Sequence, residues 1–236
     1  MGRPLRPQPD PDGATTFHAM NRGNNRAAVF TDDGDRLAFL DAVAKAKERY
    51  PFRLYGYCLM TNHVHLALRP DPGQSISRIM QSITVAHTSR HHRRHRSSGH
   101  VWQGRFKSPA IQDGDQLLTL LRYIEANPLR AGMVEDAASY RWSSHAGRVT
   151  GAGDPLLDDF PEWAELGGDE RSRRKAWRRR VARPLDESEL ARVRQSSSNG
   201  RPLGTEEWAA ETSGRLGCTP PAPKRRGRPP KGETMN

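Results

Sequence analysis

Two histidines, His63 and His65, stand one residue apart in the apolar run LMTNHVHLAL, residues 59–68. In a β-strand, side chains two positions apart project from the same face of the sheet. Two neutral imidazoles placed side by side can share one metal ion. The alternative is a pair of polar residues on a solvated sheet face, which is the more common explanation of an isolated His-x-His pattern.

A tyrosine and an amide follow in the run LLTLLRYIEANPLRAG, residues 117–132. Its leucines and Ile124 recur at the spacing of an amphipathic helix, which predicts one buried face with Tyr123 at its edge. Asn127 lies four residues later on the same stripe. A tyrosine nucleophile and an oxygen ligand for a metal could therefore share one helix. Two alternatives stay open: Tyr123 as an ordinary boundary residue, and Asn127 outside the helix because Pro128 follows it.

The elements that must position these residues alternate between strands and helices. Apolar alternation and β-formers predict strands near residues 15–20, 52–59, 63–68 and 106–111. Helical spacing predicts helices near residues 35–50, 75–95 and 115–126. The βαββαβ order is typical of the ferredoxin-like α+β fold, in which an antiparallel sheet carries helices on one face. The added tyrosine-bearing helix could cover the other face.

Charge and composition narrow the class of partner. The 236 residues carry a formal net charge of +11, and only 34% of them are hydrophobic. This balance favours an anionic polymer, nucleic acid before an acidic membrane. The two cysteines form no CxxC pattern, which argues against a Cys-based zinc site and a disulfide framework. No run of 18 apolar residues occurs, so we expect no membrane span and a cytoplasmic, nucleoid-associated protein.

Composition also divides the chain. We predict a flexible leader at 1–13, a principal domain at 14–147, a basic linker with a helical extension at 148–215, and a disordered tail at 216–236. The tail sequence RRGRPP resembles an AT-hook, in which Arg226 and Arg228 would enter the narrow minor groove of A·T-rich duplex DNA. Plain electrostatic binding to phosphate is the alternative.

Other residues could contact nucleic acid within the principal domain. The candidates are Arg22, Arg90, Arg93, Arg94, Trp102 and Arg105. The arginines could bind phosphates, and Trp102 could stack on an unpaired base. A solvated basic segment and a tryptophan that anchors the core are the corresponding alternatives.

Three segments together resemble the REP-associated tyrosine transposases, a branch of the HUH-type single-strand transposases. They are YCLMTNHVHLAL, WQGRFKS and YIEANPLRAGMV with the later YRWSSH, and the resemblance covers about residues 14–147. It implies a ferredoxin-like nuclease domain in which His63 and His65 bind a metal and Tyr123 is the nucleophile. It assigns the third ligand to Asn127, where relatives often carry the longer glutamine.

The resemblance implies a function and a substrate. We expect an endonuclease and strand transferase that depends on Mg²⁺ or Mn²⁺ and acts on single-stranded DNA hairpins of repetitive extragenic palindromes. Cleavage would form a 5′-phosphotyrosine intermediate, which conserves the energy of the broken bond for rejoining. The family branch favours a monomer over a dimer. Two alternatives remain: a non-catalytic DNA-binding or regulatory protein derived from such a transposase, and a rolling-circle replication or relaxase enzyme.

Overall fold

The computed structural model describes residues 7–218 of the chain. The strands are β1 (Thr16–Arg22), β2 (Phe52–Met60), β3 (His63–Pro70) and β4 (Ala110–Ile111). The helices are α1 (Asp33–Arg49), α2 (Ile76–His95), α3 (Asp115–Glu125), α4 (Asn127–Arg130), α5 (Ser144–Thr150), α6 (Glu170–Ala182), α7 (Glu187–Asn199) and α8 (Glu206–Arg215).

The four strands form one antiparallel sheet in the order β2-β3-β1-β4. A two-residue turn at 61–62 joins β2 to β3, because both strands bury long apolar runs and reverse only at the polar pair between them. β3 lies between β2 and β1, with Met20 opposite His65 and Arg22 opposite His63. The predicted α+β class and its order of elements are therefore confirmed.

Helices lie on both faces of this sheet. Val64 and Leu66 are fully buried and alternate with His63 and His65, so the two pairs point to opposite faces. α3 packs on β2 and β3 at the histidine face. α1 and α2 pack against each other, and α1 also contacts β2. The sheet thus separates a conventional apolar core from a second layer that contains the histidines.

The predicted strand boundaries needed correction at both ends of the sheet. β1 extends through Arg22, so the first residues of NRGNN continue the strand and the turn begins only after them. The strand expected at 106–111 is reduced to Ala110–Ile111. The preceding segment follows β1 through isolated bridges, from Lys107 to Met20 and from Trp102 to Gly23, and not through a continuous ladder. Gly104 has a φ of 70°, and Pro109 has no N–H to donate, so a continuous ladder cannot form there.

The chain after residue 147 packs back onto the domain. Leu203 lies in the core and forms a parallel bridge with Ile111, in which its N–H donates to the carbonyl of Ala110 at 2.8 Å. Near the N-terminus, buried Asp10 accepts hydrogen bonds from Thr15 at 2.5 Å and Arg215 at 2.6 Å. The described parts of the predicted leader and extension are thus tied to each other and to the sheet.

Arg226 and Arg228, and with them the AT-hook-like motif, lie outside the described residues. Across residues 7–218, no helix combines the length and the apolar composition needed to cross a lipid bilayer.

Candidate active site

Three histidines, rather than two, converge on one face of the sheet. His63 and His65 project together from β3, with ring centroids 5.0 Å apart and planes nearly perpendicular. His18 projects beside them from β1, and its Nε2 lies 2.8 Å from Nδ1 of His65. The strand period and the antiparallel register together dictate this cluster, because residues 18, 63 and 65 all fall on the same face.

Burial keeps these imidazoles neutral. It lowers the pKa of His63 to about 4 and that of His18 to about 3, and it holds the pKa of His65 well below its ordinary value. The nearby guanidinium of Arg22 lowers the pKa of His63 further. The neutral ring is the form that offers a lone pair to a metal ion or to a proton.

Hydrogen bonds orient two of the rings. Nδ1 of His63 lies 2.7 Å from Oδ1 of Asn62. An amide oxygen only accepts, so Nδ1 carries the proton and Nε2 of His63 keeps its lone pair. Nδ1 of His65 and Nε2 of His18 are joined by one hydrogen bond, in which one nitrogen donates and the other accepts. If His65 donates it, Nε2 of His65 also keeps a lone pair.

Tyr123 lies directly against the histidine cluster. α3 crosses the histidine face, and the Tyr123 ring meets the rings of His65 and His18 edge-on, with centroids 5.8 and 6.2 Å away. The guanidinium of Arg130 lies 4.2 Å from the centre of the Tyr123 ring and donates a hydrogen bond to its carbonyl oxygen at 2.6 Å. The phenol is half-buried, so its hydroxyl can be reached from the cavity described below.

A buried carboxylate anchors the helix that carries Tyr123. Glu125 is fully buried and accepts hydrogen bonds of 2.7 Å from Ser144 Oγ, His145 Nδ1 and Trp177 Nε1. Ser144 also binds the backbone of β2, because its Oγ accepts from the N–H of Tyr57 at 3.0 Å. The end of α3 is thus connected to α5, α6 and the sheet, and this fixes the height of Tyr123 above the histidines.

Asn127 has a different environment from the one expected. α3 ends at Glu125, and Asn127 begins the short helix α4, as its neighbour Pro128 would favour. Its Oδ1 accepts a 2.6 Å hydrogen bond from Arg130, and Asn127 is not among the residues that line the cavity. Its buried Nδ2 has no hydrogen-bond partner among the described residues. An oxygen already bound to a cation is a poor ligand for a second one.

The donor set therefore fits a metal ion only in part. His63 and His65 present two neutral imidazoles to one space. Within residues 7–218, no group of three His, Cys, Asp or Glu side chains has an arrangement that could hold a metal ion. Two protein ligands suit an ion that keeps several water or phosphate oxygens in its shell, as Mg²⁺ and Mn²⁺ do.

A cavity of about 510 Å³ opens over Tyr123 and the histidines. Its lining residues are Met20, Asn21, Arg22, His63, Val64, His65, Gln103, Arg105, Lys107, Tyr123, Arg194, Ser197 and Ser198. Four of these described residues are cationic and none is acidic, so the cavity attracts anions. Because the cavity is open to solvent on one side, it suits part of a nucleotide chain better than a small molecule that must be enclosed.

One wall of the cavity comes from the C-terminal extension. α7 contributes Arg194, Ser197 and Ser198. The carbonyl of Ser198 accepts a hydrogen bond from Lys107 at 3.0 Å, and Ser197 Oγ lies 3.4 Å from Nδ1 of His18. The segment expected to be a basic linker with a helical extension therefore forms part of the cavity wall.

The other predicted nucleic-acid contacts divide into two groups. Arg22 and Arg105 line the cavity. Arg90, Arg93 and Arg94 lie on α2, away from it, and Arg94 is paired with Asp32 at 2.8 Å while Arg90 lies 3.8 Å from Asp41.

Trp102 is nearly buried within the core. It is only 8% exposed, and its ring packs beside Phe39 and His87. This position favours the interpretation of Trp102 as a core anchor over that of an exposed base-stacking platform.

Sequence reasoning missed several residues of the site. His18 could have been found, because the alternation that predicted β1 also places residue 18 on one face of a strand. Arg194 gave no signal, since nothing local indicates that α7 folds back over the sheet. The sequence did not indicate a structural role for Glu125, because a single acid in an apolar helix is usually solvent-exposed.

Comparisons with known proteins agree with this geometry. A profile of the family described as "Transposase IS200 like" matches residues 13–127. A candidate REP-associated tyrosine transposase of Haemophilus influenzae is 27% identical over 117 residues, which cover 45% of this chain and 66%, slightly less than two thirds, of that protein. A REP-associated tyrosine transposase of Escherichia coli is 24% identical over 135 residues, which cover 56% of this chain and 76% of that protein.

A solved structure shares the fold. It is described as a REP-associated tyrosine transposase bound to a REP hairpin, and it superimposes with a TM-score of 0.51 at 21% identity. The match covers 68% of this chain and 93% of the other. The region of shared fold extends beyond residues 13–127.

Proposed function

We propose that this chain cleaves and rejoins single-stranded DNA at hairpin-forming repetitive palindromes, because its residues 13–127 match the family described as "Transposase IS200 like" and it is similar to REP-associated tyrosine transposases. The observation that carries the proposal is the contact of Tyr123 with His65 and His18 inside a cationic cavity. The βαββαβ order and the sheet order β2-β3-β1-β4 support the assignment of this domain to the ferredoxin-like type.

The proposed reaction is a transesterification at phosphorus. The Tyr123 Oη–P bond forms as the bond from phosphorus to the 3′ oxygen breaks, which leaves a 5′-phosphotyrosine and a free 3′ hydroxyl. The phenol gives up one proton and the departing oxygen takes one up. The covalent link conserves the energy of the broken ester, so the reverse attack by another 3′ hydroxyl rejoins DNA without ATP.

The chain's own residues position the reactants. α3 holds the phenol at the cavity, and Glu125 holds α3 against the sheet. Arg22, Arg105, Lys107 and Arg194 surround the position where the phosphate would lie. Cations fixed there before the substrate arrives stabilise charge on the non-bridging oxygens, a large contribution to phosphoryl transfer.

A divalent ion would bind between His63 and His65. When bound, Mg²⁺ or Mn²⁺ supplies positive charge at the scissile phosphate and fixes its orientation. Asn127 would need to release Arg130 before it could contribute a third ligand, so we assign only the two histidines. Water and phosphate oxygens would occupy the other positions.

Replacement of Tyr123 tests the reaction. The full chain is incubated with a hairpin oligonucleotide labelled at its 3′ end and with Mn²⁺, and covalent adducts are separated on a denaturing gel. Tyr123→Phe removes the nucleophile alone, so the adduct disappears while hairpin binding stays nearly unchanged. Tyr50→Phe is the matched control. The guanidinium of Arg49 lies 5.3 Å from the centre of the Tyr50 ring, but Tyr50 directly follows α1 and does not line the cavity.

A DNA-binding protein without catalysis is the competing outcome. In that case the wild-type chain would give salt-sensitive complexes with the hairpin and no covalent band with Mn²⁺ or with Mg²⁺. Cleavage that is unaffected by Tyr123→Phe would instead show that another residue is the nucleophile, and the proposal would fail.

A further inference from the structure

The outward face of α6 carries a row of exposed cations. Arg171, Lys175 and Arg179 follow one another at intervals of four residues, so they lie along one side of the helix. The opposite side holds Trp177 and Val181, which are 0% and 1% exposed and fix α6 against the domain. We call the three exposed residues the cationic row.

Three other cations of α6, which are Arg173, Arg174 and Arg178, differ from the cationic row because they have acidic partners. Arg173 and Arg174 lie 3.7 and 3.1 Å from the carboxylate of Glu170. Arg178 is paired with Asp136. Within residues 7–218, no acidic side chain pairs with a member of the cationic row.

A row of like charges is unfavourable for an isolated helix. Cations four residues apart repel each other, and exposed positions of this kind are commonly alternated with acids. The row is also evenly spaced and rigid, with about 6 Å between neighbours and about 12 Å from end to end. That length corresponds to roughly four nucleotide steps of about 3.4 Å along one DNA strand. An extended polyanion of regular charge spacing is the partner that this arrangement fits.

The row ends close to the helix that carries Tyr123. Arg122, the neighbour of Tyr123, donates hydrogen bonds of 3.1 Å to the carbonyl oxygens of Arg180 and Arg183 at the end of α6. The C-terminal end of the basic helix is therefore fastened to the helix that carries the nucleophile. The cationic row therefore ends at Arg179, next to the point where α6 is joined to α3.

We propose that the cationic row binds the phosphate backbone of the duplex stem of a DNA hairpin whose single-stranded end enters the cavity. This inference rests on the proposed function and adds a second contact region, outside residues 13–127, that senses the stem. The row contacts only phosphates, so it contributes affinity and orientation without reading the base sequence.

Two triple variants of equal charge test the row. One is Arg171→Gln, Lys175→Gln, Arg179→Gln, and the control is Arg173→Gln, Arg174→Gln, Arg178→Gln on the same helix. Binding of the full chain to a labelled hairpin, and to a strand of the same length without a stem, is measured between 50 and 200 mM salt.

Binding of the row variant to the hairpin should depend less steeply on salt concentration than binding of the wild-type chain. Each lost contact to duplex phosphate lowers the slope of log K against log salt by about 0.9, so three contacts lower it by about 2.7. The affinity lost between 50 and 200 mM salt should then be about 40-fold smaller than in the wild-type chain. The control variant should keep a slope close to wild type, and both variants should bind the stemless strand alike.

Three results would overturn the inference. They are equal slopes for the two triple variants on the hairpin, an equal loss on the stemless strand, and a row variant that loses binding only to anionic lipid vesicles. The covalent adduct that the wild-type chain forms with the hairpin tests the proposed function separately. If no adduct forms, the proposed transesterification is refuted. Binding of the stem by the cationic row is still decided by the salt slopes of the two triple variants.

Discussion

Replacement of the buried Glu125 by glutamine should destabilise the protein and move Tyr123. The wild-type carboxylate receives three hydrogen bonds of 2.7 Å, from Ser144, His145 and Trp177. Burial acts to raise the pKa of Glu125, but the hydrogen bond and charge of His145, with Arg148 and Ser144, outweigh it and hold the pKa below its ordinary value. The folded protein therefore stabilises the ionised form.

The expected loss of unfolding free energy depends on which hydrogen bonds of Glu125 the new side chain can still make. Glutamine can point its oxygen at the two ring N–H donors and its amide at the Ser144 hydroxyl, so the geometry is kept and the charge assistance is lost. That loss corresponds to about 1–3 kcal/mol of unfolding free energy. Glu125→Ala removes the acceptor and leaves the buried N–H groups of His145 and Trp177 unpaired, whereas Ser144 can still donate to the carbonyl of Tyr57 at 3.2 Å, so it should cost about 3–5 kcal/mol.

The dependence on pH gives a second, signed readout. Because the pKa of Glu125 is lower in the folded state, its contribution is complete above the unfolded pKa and is lost as pH falls through the folded pKa. The difference in stability between the wild-type chain and Glu125→Gln should therefore narrow in acid. Denaturant unfolding at a series of pH values, monitored by tryptophan fluorescence, measures it.

Glu162 provides a matched control with the opposite sign. It is also a buried glutamate, but it accepts a hydrogen bond only from the N–H of Gly114, and its Oε2 has no partner among the described residues. Burial raises its pKa, so its contribution is complete below the unfolded pKa and is lost as pH rises through the folded pKa. Glu162→Gln should be neutral or stabilising at neutral pH. This account of the network would be refuted if both glutamine variants were destabilised equally. It would also be refuted if the difference in unfolding free energy between the wild-type chain and Glu125→Gln increased in acid.

Three further predictions concern the cavity. His63→Ala and His65→Ala should each lower Mn²⁺-dependent cleavage about 100-fold or more while the hairpin still binds; cleavage with an unchanged metal titration would exclude both as ligands. His18→Ala removes the ring that hydrogen-bonds His65, so the Mn²⁺ concentration for half-maximal cleavage should rise about 10–100-fold, and an identical titration curve would count against this orienting role. Arg194→Gln should lower the salt slope for single-stranded DNA by about 0.7, whereas an unaltered slope would mean that α7 does not contact the phosphates.

Local patterns in the sequence were sufficient for the central part of the molecule. Period-2 alternation placed His63 and His65 on one face of β3, and helical spacing predicted α3 with Tyr123 at its edge. Both are properties of backbone geometry over a few residues, so they can be derived without knowledge of the rest of the chain. The resemblance to the tyrosine transposases rested on three short segments in one order along the chain, and a profile of the IS200-like transposases matches residues 13–127.

The contacts between distant segments depended on the tertiary structure. The proximity of His18 and His65 arises from the pairing of β1 with β3, 47 residues apart, and no local pattern specifies that register. Arg194 reaches the cavity because α7 packs on α3 through the 3.0 Å ion pair of Arg122 with Glu189. The sequence by itself determined which groups could do chemistry on which face of which element. Folding alone decided that they meet, because the free energy that brings them together is spread over burial and hydrogen bonds along the whole described chain.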